Sequence, residues 1–491
     1  MPTPRFRRSY LAVAAFALFA VGSLGSTASA QLAKVLEKLN EPWSRILDKS
    51  SSWKPILTAL LDITEPPKPI GQNFDVGQIW PGMSDEDGAW ADWSAWAEKN
   101  ASLGVALIAN QEQVAFAMPY GDESLEPALK SKNYSILIDL DADGRKTTFG
   151  YLQAIAALDA WCIAEMYRLG EAGKFEDAFK IGVAHLKVLR QLSDQQMLEE
   201  KLYALDNLAE VSRVHRDYIF TYADKIPGDL LRRLGSKDYP LIRPQDGPRL
   251  KRLEMPEGDR YVAEAILAAC FDDRGQPSPA LFAEVFAGLQ SVDMPLTRFG
   301  AARRWQAIAA VHGSLDASSI KLNNVYDDWW RRWRYRPFDL ANSAPTELST
   351  LNPIRYAAIT LAVIDIDQAF RARRRAAMEM NGTATALALV SYKRAYGSYP
   401  DDIEKIFPVN GQKRFNADPY SKAADGFVYR FLGASPRTVS TVNGPVTIDG
   451  ALLYARGENN EDDGGISHDP TAASNDVILW PPLRAVARQQ E

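Results

Sequence analysis

At 491 residues the chain is long enough for two to four domains of roughly 100 to 200 residues each, which excludes a small disulfide-held scaffold. Apolar residues make up 46% and charged residues 24%, so wholesale disorder, collagen-like repeats and a multi-span membrane protein are excluded as well. Lys and Arg number 56 against 62 Asp and Glu, and the net charge of -6 gives no global attraction for nucleic acid.

The first thirty residues have three parts: Arg5, Arg7 and Arg8, an apolar run from Tyr10 to Val21, and Ala28-Ser29-Ala30 before Gln31. That order predicts a secretory signal peptide over 1–30, since a run of this length is too short to span ~30 Å of hydrocarbon and Ala-x-Ala suits a signal peptidase. An uncleaved anchor is the alternative, and either form exports the bulk to the periplasm or beyond. Removal takes away three arginines and no acid, leaving a more acidic body. No later stretch is apolar enough for a second span, so no transmembrane segment is expected after cleavage.

From Gln31 to about Ile63 the spacing of Leu32, Val35, Leu36 and Leu39 predicts a helix, and Pro66, Pro67 and Pro69 end it. Trp90, Trp93 and Trp96 recur every three residues, on one helical face that is either buried or a sugar-stacking platform. Asp139, Asp141, Asp143 and Gly144 have the alternation of an EF-hand-type loop, but Gly150 stands where the last bidentate ligand belongs, so a polar turn after a strand at Tyr134–Ile138 is the competing reading.

Between Tyr151 and Asp224 three apolar stripes, separated by a break at Gly170–Gly173 and another before Leu198, predict a helical-hairpin array. Cys162 and Cys270 lie within apolar helical sequence and read as two buried thiols or one disulfide. Helices resume at Tyr261–Phe271 and Leu281–Leu289. In Trp329-Trp330-Arg331-Arg332-Trp333-Arg334 guanidinium groups alternate with indoles. Such a cluster can hold a glycan or another anionic ligand, or it can be a helix that buries its rings under Arg stems.

The histidines, at 185, 215, 312 and 468, fall in no familiar metal spacing, and there is no nucleophile elbow, Walker loop or dinucleotide fingerprint. No reaction is legible. From Ile354 to Ala395 a helix is predicted, about 60 Å long if straight, with Asn381-Gly382 as a candidate kink. Short β-rich runs follow at Phe427–Leu432, Val446–Ile448, Ala451–Ala455 and Val477–Trp480. The fold class expected is therefore mainly α, a helical-hairpin array followed by a long helix and a small antiparallel sheet. The expected divisions are a signal peptide 1–30, a mixed region 31–150, a helical domain 151–353 and an α+β unit 354–491.

Ala388-Leu389-Val390-Ser391-Tyr392-Lys393-Arg394-Ala395-Tyr396-Gly397-Ser398-Tyr399-Pro400, then Asp418-Pro419-Tyr420 before Phe427-Val428-Tyr429-Arg430, then Tyr454 to Gly465 leading to Asn475-Asp476-Val477-Ile478, form an ordered set. This set resembles the periplasmic domain of the type II secretion major pseudopilin, a type IV pilin relative. The resemblance implies a pilin-like α+β fold and a calcium-binding loop before the last strand. By position Asn459 matches the family's loop Asp, Asp462 or Asp463 its acidic pair, and Asp476 the Asp that opens the final strand. Independently, Glu458, Glu461, Asp462, Asp463 and Asp476 crowd carboxylates near one loop, which a bound Ca²⁺ would relieve. A solvated acidic loop is the alternative. The function expected is binding or scaffolding in the cell envelope with a protein partner. The rivals are a secretion-apparatus component docking on pseudopilins and an envelope enzyme with its site in the helical domain.

Overall fold

A computed structural model describes residues 30–490 except 73, 84–88, 141–146, 244–252, 287–297, 336–339, 410–411, 424, 442–443 and 468–475. Residues 1–29 of the expected signal, and Asp141, Asp143 and Gly144 of the EF-hand-like loop, lie outside the described residues. Helix α1 covers 30–44 and turns Val35 and Leu39 inward. It is followed by α2 (Trp53–Ala59), α3 (Trp90–Lys99), α4 (Ser102–Asn110) and α5 (Pro127–Ser131). Strands β1 (Ile136–Leu137) and β2 (Thr148–Phe149) make a two-stranded antiparallel ladder.

The proline-rich passage after α2 is non-helical, as proline chemistry requires, and it is tied to α3. Thr64 N donates to Asn100 Oδ1 at 3.0 Å, and Trp96 Nε1 donates to Thr64 O at 2.9 Å. Trp93 and Trp96 are buried edge-to-face, with ring centroids 5.6 Å apart, and Phe74 stacks on Trp93. The indole stripe is core.

The three predicted stripes form α6 (Tyr151–Glu171), α7 (Phe175–Leu192) and α8 (Leu198–Thr221). Gly173, at φ +71°, supplies the left-handed residue that ends α6, and Lys174 N then closes the turn on Leu169 O at 2.8 Å. Helix α6 is buried on nearly every face, because α3 covers one side and α7 another, with Trp161 Nε1 donating to Ala97 O at 3.0 Å. The array continues through α9 (Gly228–Gly235), α10 (Gly258–Ala269), α11 (Pro279–Val285), α12 (Arg298–Val311), α13 (Leu315–Arg334) and α14 (Glu347–Thr350). Cys162 and Cys270 are both free, buried thiols; burial pushes Cys270 up to about 12 and Cys162 up as well.

The long helix expected from Ile354 is two helices, α15 (Ala357–Ala362) and α16 (Asp367–Tyr396). Asp365 makes the break, its Oδ1 accepting from Asp367 N at 2.9 Å, among the β-branched residues Val363, Ile364 and Ile366. Asn381-Gly382 passes straight through α16, which at 1.5 Å per residue is about 45 Å long rather than 60. Gly397, at φ +80°, ends it.

A three-stranded antiparallel sheet follows in the order β3 (Val428–Thr441), β4 (Gly444–Ala455), β5 (Val477–Trp480). The two short runs expected at 446–448 and 451–455 are one strand, and β3 extends past Leu432 through register shifts at Gly433 and Arg437. The fold is thus mainly helical with a small sheet near its C-terminus, and α17 (Leu483–Gln490) ends the described chain.

Helix α16 lies on α8, with small residues such as Ala209, Ser212, Ala372 and Ala376 buried. Inside this contact Arg216 reaches the Glu379 carboxylate, while its Nη1 donates to Glu379 O at 2.9 Å and to Thr383 Oγ1 at 2.7 Å. One hydrophobic core runs from Val35 to Trp480, and a smaller cluster of Val439, Ile448, Leu452, Tyr454 and Ile478 fills one face of the sheet.

Candidate functional site

Strands β4 and β5 pair antiparallel at Leu453–Trp480, Tyr454–Ile478 and Ala455–Val477, so the loop 456–476 leaves and re-enters the sheet side by side. Its start is anchored. Arg456 N donates to Asp418 Oδ2 at 3.0 Å, and the Arg456 guanidinium lies 3.4 Å from Asp418 and 3.7 Å from Asp425. Asn460 adopts φ +62°, and its Oδ1 accepts from Lys422 N at 2.9 Å. The Asp418-Pro419-Tyr420 turn and the acidic loop are therefore one local structure.

The loop then turns on Gly464 and Gly465, both at φ +79°, where L side chains are strained. A Cβ on Gly465 would also sit 2.9 Å from Leu452 Cδ2 and 3.2 Å from the Tyr454 ring. Around this turn stand the four expected ligands. Asn459 Nδ2 donates to Asp463 Oδ2 at 2.9 Å. Asp462 Oδ1 accepts from Tyr454 Oη at 2.8 Å and from Gly464 N at 2.9 Å, with Arg430 Nη2 at 3.7 Å. Partial burial works to raise the Asp462 carboxyl, but these donors and the guanidinium hold it below the ordinary range.

Asp476 is 2% exposed, and its Oδ2 accepts from Gly465 N at 2.6 Å. Its Oδ1 is buried with no hydrogen-bond partner. Burial pushes this carboxyl up to about 6, and the charges of Asp463 and Asp462 add to the effect. The loop thus brings Asp462, Asp463 and Asp476 within electrostatic reach of one another and bonds Asn459 to Asp463. Among the described residues, no group of three or more His, Cys, Asp or Glu is arranged to hold a metal ion. Hydrogen bonds within the loop take up much of the acceptor capacity, and the unfilled acceptor is Asp476 Oδ1.

Comparison with family models, curated proteins and solved structures returned no match.

The Arg–Trp segment lies at the end of α13. Trp329 and Trp333 are buried, and Trp333 Nε1 donates to Leu253 O at 2.6 Å. Arg373 of α16 lies over the Trp333 ring, 4.4 Å from its centroid. Arg332 is committed to Asp328 at 2.8 Å and to the carbonyls of Asn342 and Pro345. Trp330 donates to Glu257 and carries Arg334 over its ring at 4.9 Å, while Arg331 is exposed. Most of the segment packs α13 against the residues before α10 and those leading into α14, and Trp333 alone carries the contact with α16.

A surface cleft of ≈ 220 Å³ opens where α7 begins beside α9, lined by Lys174, Phe175, Asp177, Leu230 and Arg233. Among the described residues, no helix is long and apolar enough to cross a membrane.

Sequence reasoning missed the polar groups inside the helical array. Glu200 is fully buried and accepts from Tyr120, Tyr151 and Gln195. His185 Nε2 meets Asp159 Oδ1 at 2.7 Å, and Tyr203 Oη donates to Asp159 Oδ2 at 2.7 Å. The available signal was a histidine beside the apolar stripe Val183, Leu186, Leu189, facing the core.

Proposed function

We propose that the chain is an exported cell-envelope protein with a binding or scaffolding role, whose C-terminal region is a pilin-like unit clamped by calcium in the loop 456–476. Support for export is the three-part pattern of the first thirty residues. Support for the pilin-like unit is the order long helix, turn, three antiparallel strands, with Asp418 tying the turn to the loop.

The observation that carries the calcium reading is Asp476. A carboxylate oxygen buried without a partner is costly, and a hard cation held by oxygen ligands would satisfy it. Asp476 and Asp463 would hold the ion with Asp462, Asn459 and backbone carbonyls of the loop. Bound there, calcium supplies charge neutralisation and a fixed loop conformation. Asn459 in place of the family's Asp removes one charge and lowers affinity.

The partner proposed is another envelope protein, a pseudopilin of the secretion apparatus above all. The part of the Arg–Trp segment open to a glycan or anionic ligand is Trp330, Arg331 and Arg334.

Calorimetric titration of the full chain with Ca²⁺ tests the site directly. Saturable heat in wild type, lost in Asp476→Asn, is expected. No heat from wild type, or equal heat from the variant, overturns it. Capture of secretion-apparatus proteins on the immobilised chain, with and without Ca²⁺, tests the partner separately.

A further inference from the structure

The turn from α12 into α13 passes through His312 and Gly313, far from the acidic loop. Gly313 N donates to Arg355 O at 2.9 Å and Leu315 N donates to Gly275 O at 3.0 Å, so the turn is tied both to the residues before α15 and to the loop after α10. His312 completes the joint. It is 8% exposed, and its ring lies edge-to-face with Phe271 at the end of α10, Phe282 of α11 and Tyr356 just before α15, at centroid distances of 5.5, 5.1 and 6.4 Å.

Both ring nitrogens are engaged, and their partners fix the tautomer. His312 Nδ1 lies 2.8 Å from Gly313 O, and a carbonyl oxygen only accepts, so Nδ1 carries the proton. Ala358 N donates to His312 Nε2 at 3.2 Å, so Nε2 is the lone pair. Ala358 stands in the first turn of α15, where N–H groups lack an intrahelical partner, and the imidazole supplies the acceptor. Helix α15 has 6 residues, well below the roughly 12 to 15 that a lone helix needs in water, so its form depends on such contacts. Ala358 and Ile359, both 0% exposed, bury its inner side, and α10 is the helix it packs on.

A proton on Nε2 reverses the bond to α15. Two N–H groups then face each other, and the Ala358 N–H cannot turn away unless its helix moves. The side chains that face the ring from α10, α11 and the residues before α15 are Phe271, Phe282 and Tyr356, and the Tyr356 phenol is the titratable group among them. Among the described residues, no carboxylate acts on the imidazole, so a charge there has no partner while α15 stays docked.

We propose that His312 is a proton-operated latch, which holds α15 to the α12–α13 turn as neutral imidazole and releases residues 354–366 when it is protonated. Burial holds the imidazole below its ordinary value of 6.5, and the bond to Gly313 O offsets only part of that effect. The folded chain therefore binds this proton less tightly than the unfolded chain. Stability from the joint is full above about pH 6.5 and is lost as pH falls.

Hydrogen exchange of the full chain at about pH 7.5 and about pH 5.0, each corrected for intrinsic exchange, tests the latch. Protection of 354–366 is expected to fall by about 3- to 30-fold at the lower pH, the ceiling being set by the roughly 1.5 pH units below the ordinary imidazole value. The centres of α6 and α7 should keep theirs. His312→Gln and His312→Phe carry no titratable ring, and in both the fall is expected to vanish; Phe keeps the aromatic packing should Gln unfold the joint. Equal protection of 354–366 at the two pH values in wild type overturns the proposal. So does a fall of wild-type size in either variant, or one shared equally by α6 and α7. None of these outcomes bears on the calcium loop, which Asp476→Asn tests alone.

Discussion

Arg216 and Glu379 show how much one side-chain pair can decide here. Their side chains are 2% and 6% exposed, and they join α8 to α16 across 163 residues of sequence. Removing one partner leaves a buried charge uncompensated, so Glu379→Ala should cost about 3 to 5 kcal/mol in urea unfolding. Arg216→Met with Glu379→Leu should recover most of that loss, because well-packed apolar residues need no counter-charge. Glu200 makes the second residue-scale prediction. Burial raises its pKa from 4.5 to about 7 despite three donors. The folded state therefore binds the proton more tightly, and stability present below pH 4.5 is lost as pH rises toward 7. The loss is about 3 kcal/mol. Wild type minus Glu200→Gln, compared by urea midpoints from pH 4.5 to 8, should show that slope; equal slopes in both proteins would refute it. These groups were not legible in the sequence. Their partners are set by tertiary packing, whereas the acidic stretch Glu458–Asp463 stands out in the sequence because its carboxylates crowd within six residues, and Asp476, farther along, was singled out by the resemblance.

At the scale of elements, the helices of the array were legible because each carries a continuous apolar stripe, and α6, α7 and α8 fall where Leu152 through Val211 place them. The break at 363–366 was not, because it depends on the Asp365 side chain accepting from Asp367 N just before the next helix starts, a local competition that apolar periodicity does not register. The passage of Asn381-Gly382 through α16 has a packing reason. A Cβ on Gly382 would sit 2.7 and 2.8 Å from the two Cδ atoms of Leu479, which is itself 0% exposed in β5. The glycine lets the sheet close onto the helix. Gly382→Ala sets a helix-propensity gain of about 1 kcal/mol against an overpacking cost of about 1 to 3 kcal/mol. Net destabilisation is expected. In the Leu479→Ala background the clash is gone and only the propensity gain remains, so the same change should there be neutral or stabilising. A double-mutant cycle in urea reads this sign change directly.

The whole molecule is closed by its last described helix. Arg484 of α17 reaches Asp217 and Glu210 of α8, the latter at 3.0 Å, and Asp75 of the N-terminal region at 3.7 Å. Arg488 donates to Gly77 O and lies over the Trp80 ring, 4.6 Å from its centroid. A side chain at Gly77 would displace the Arg484 guanidinium, since a Cβ there would fall 1.6 Å from its Nη1. One helix thus binds two distant parts of the chain, α8 and the segment 75–80, through a cluster whose most buried charge, Asp217, salt screens weakly. Opening should then be shared among those parts. Arg484→Met leaves Asp217, whose side chain is 1% exposed, without its counter-charge, and a loss of about 3 to 5 kcal/mol is expected. Hydrogen exchange gives the sharper test. In the variant, amides of 75–80 and of α17 should lose protection together, because both are held by the same guanidinium, while the centres of α6 and α7 keep theirs. If 75–80 retains wild-type protection while α17 frays, Arg484 holds only its own helix and the closure belongs to the apolar core.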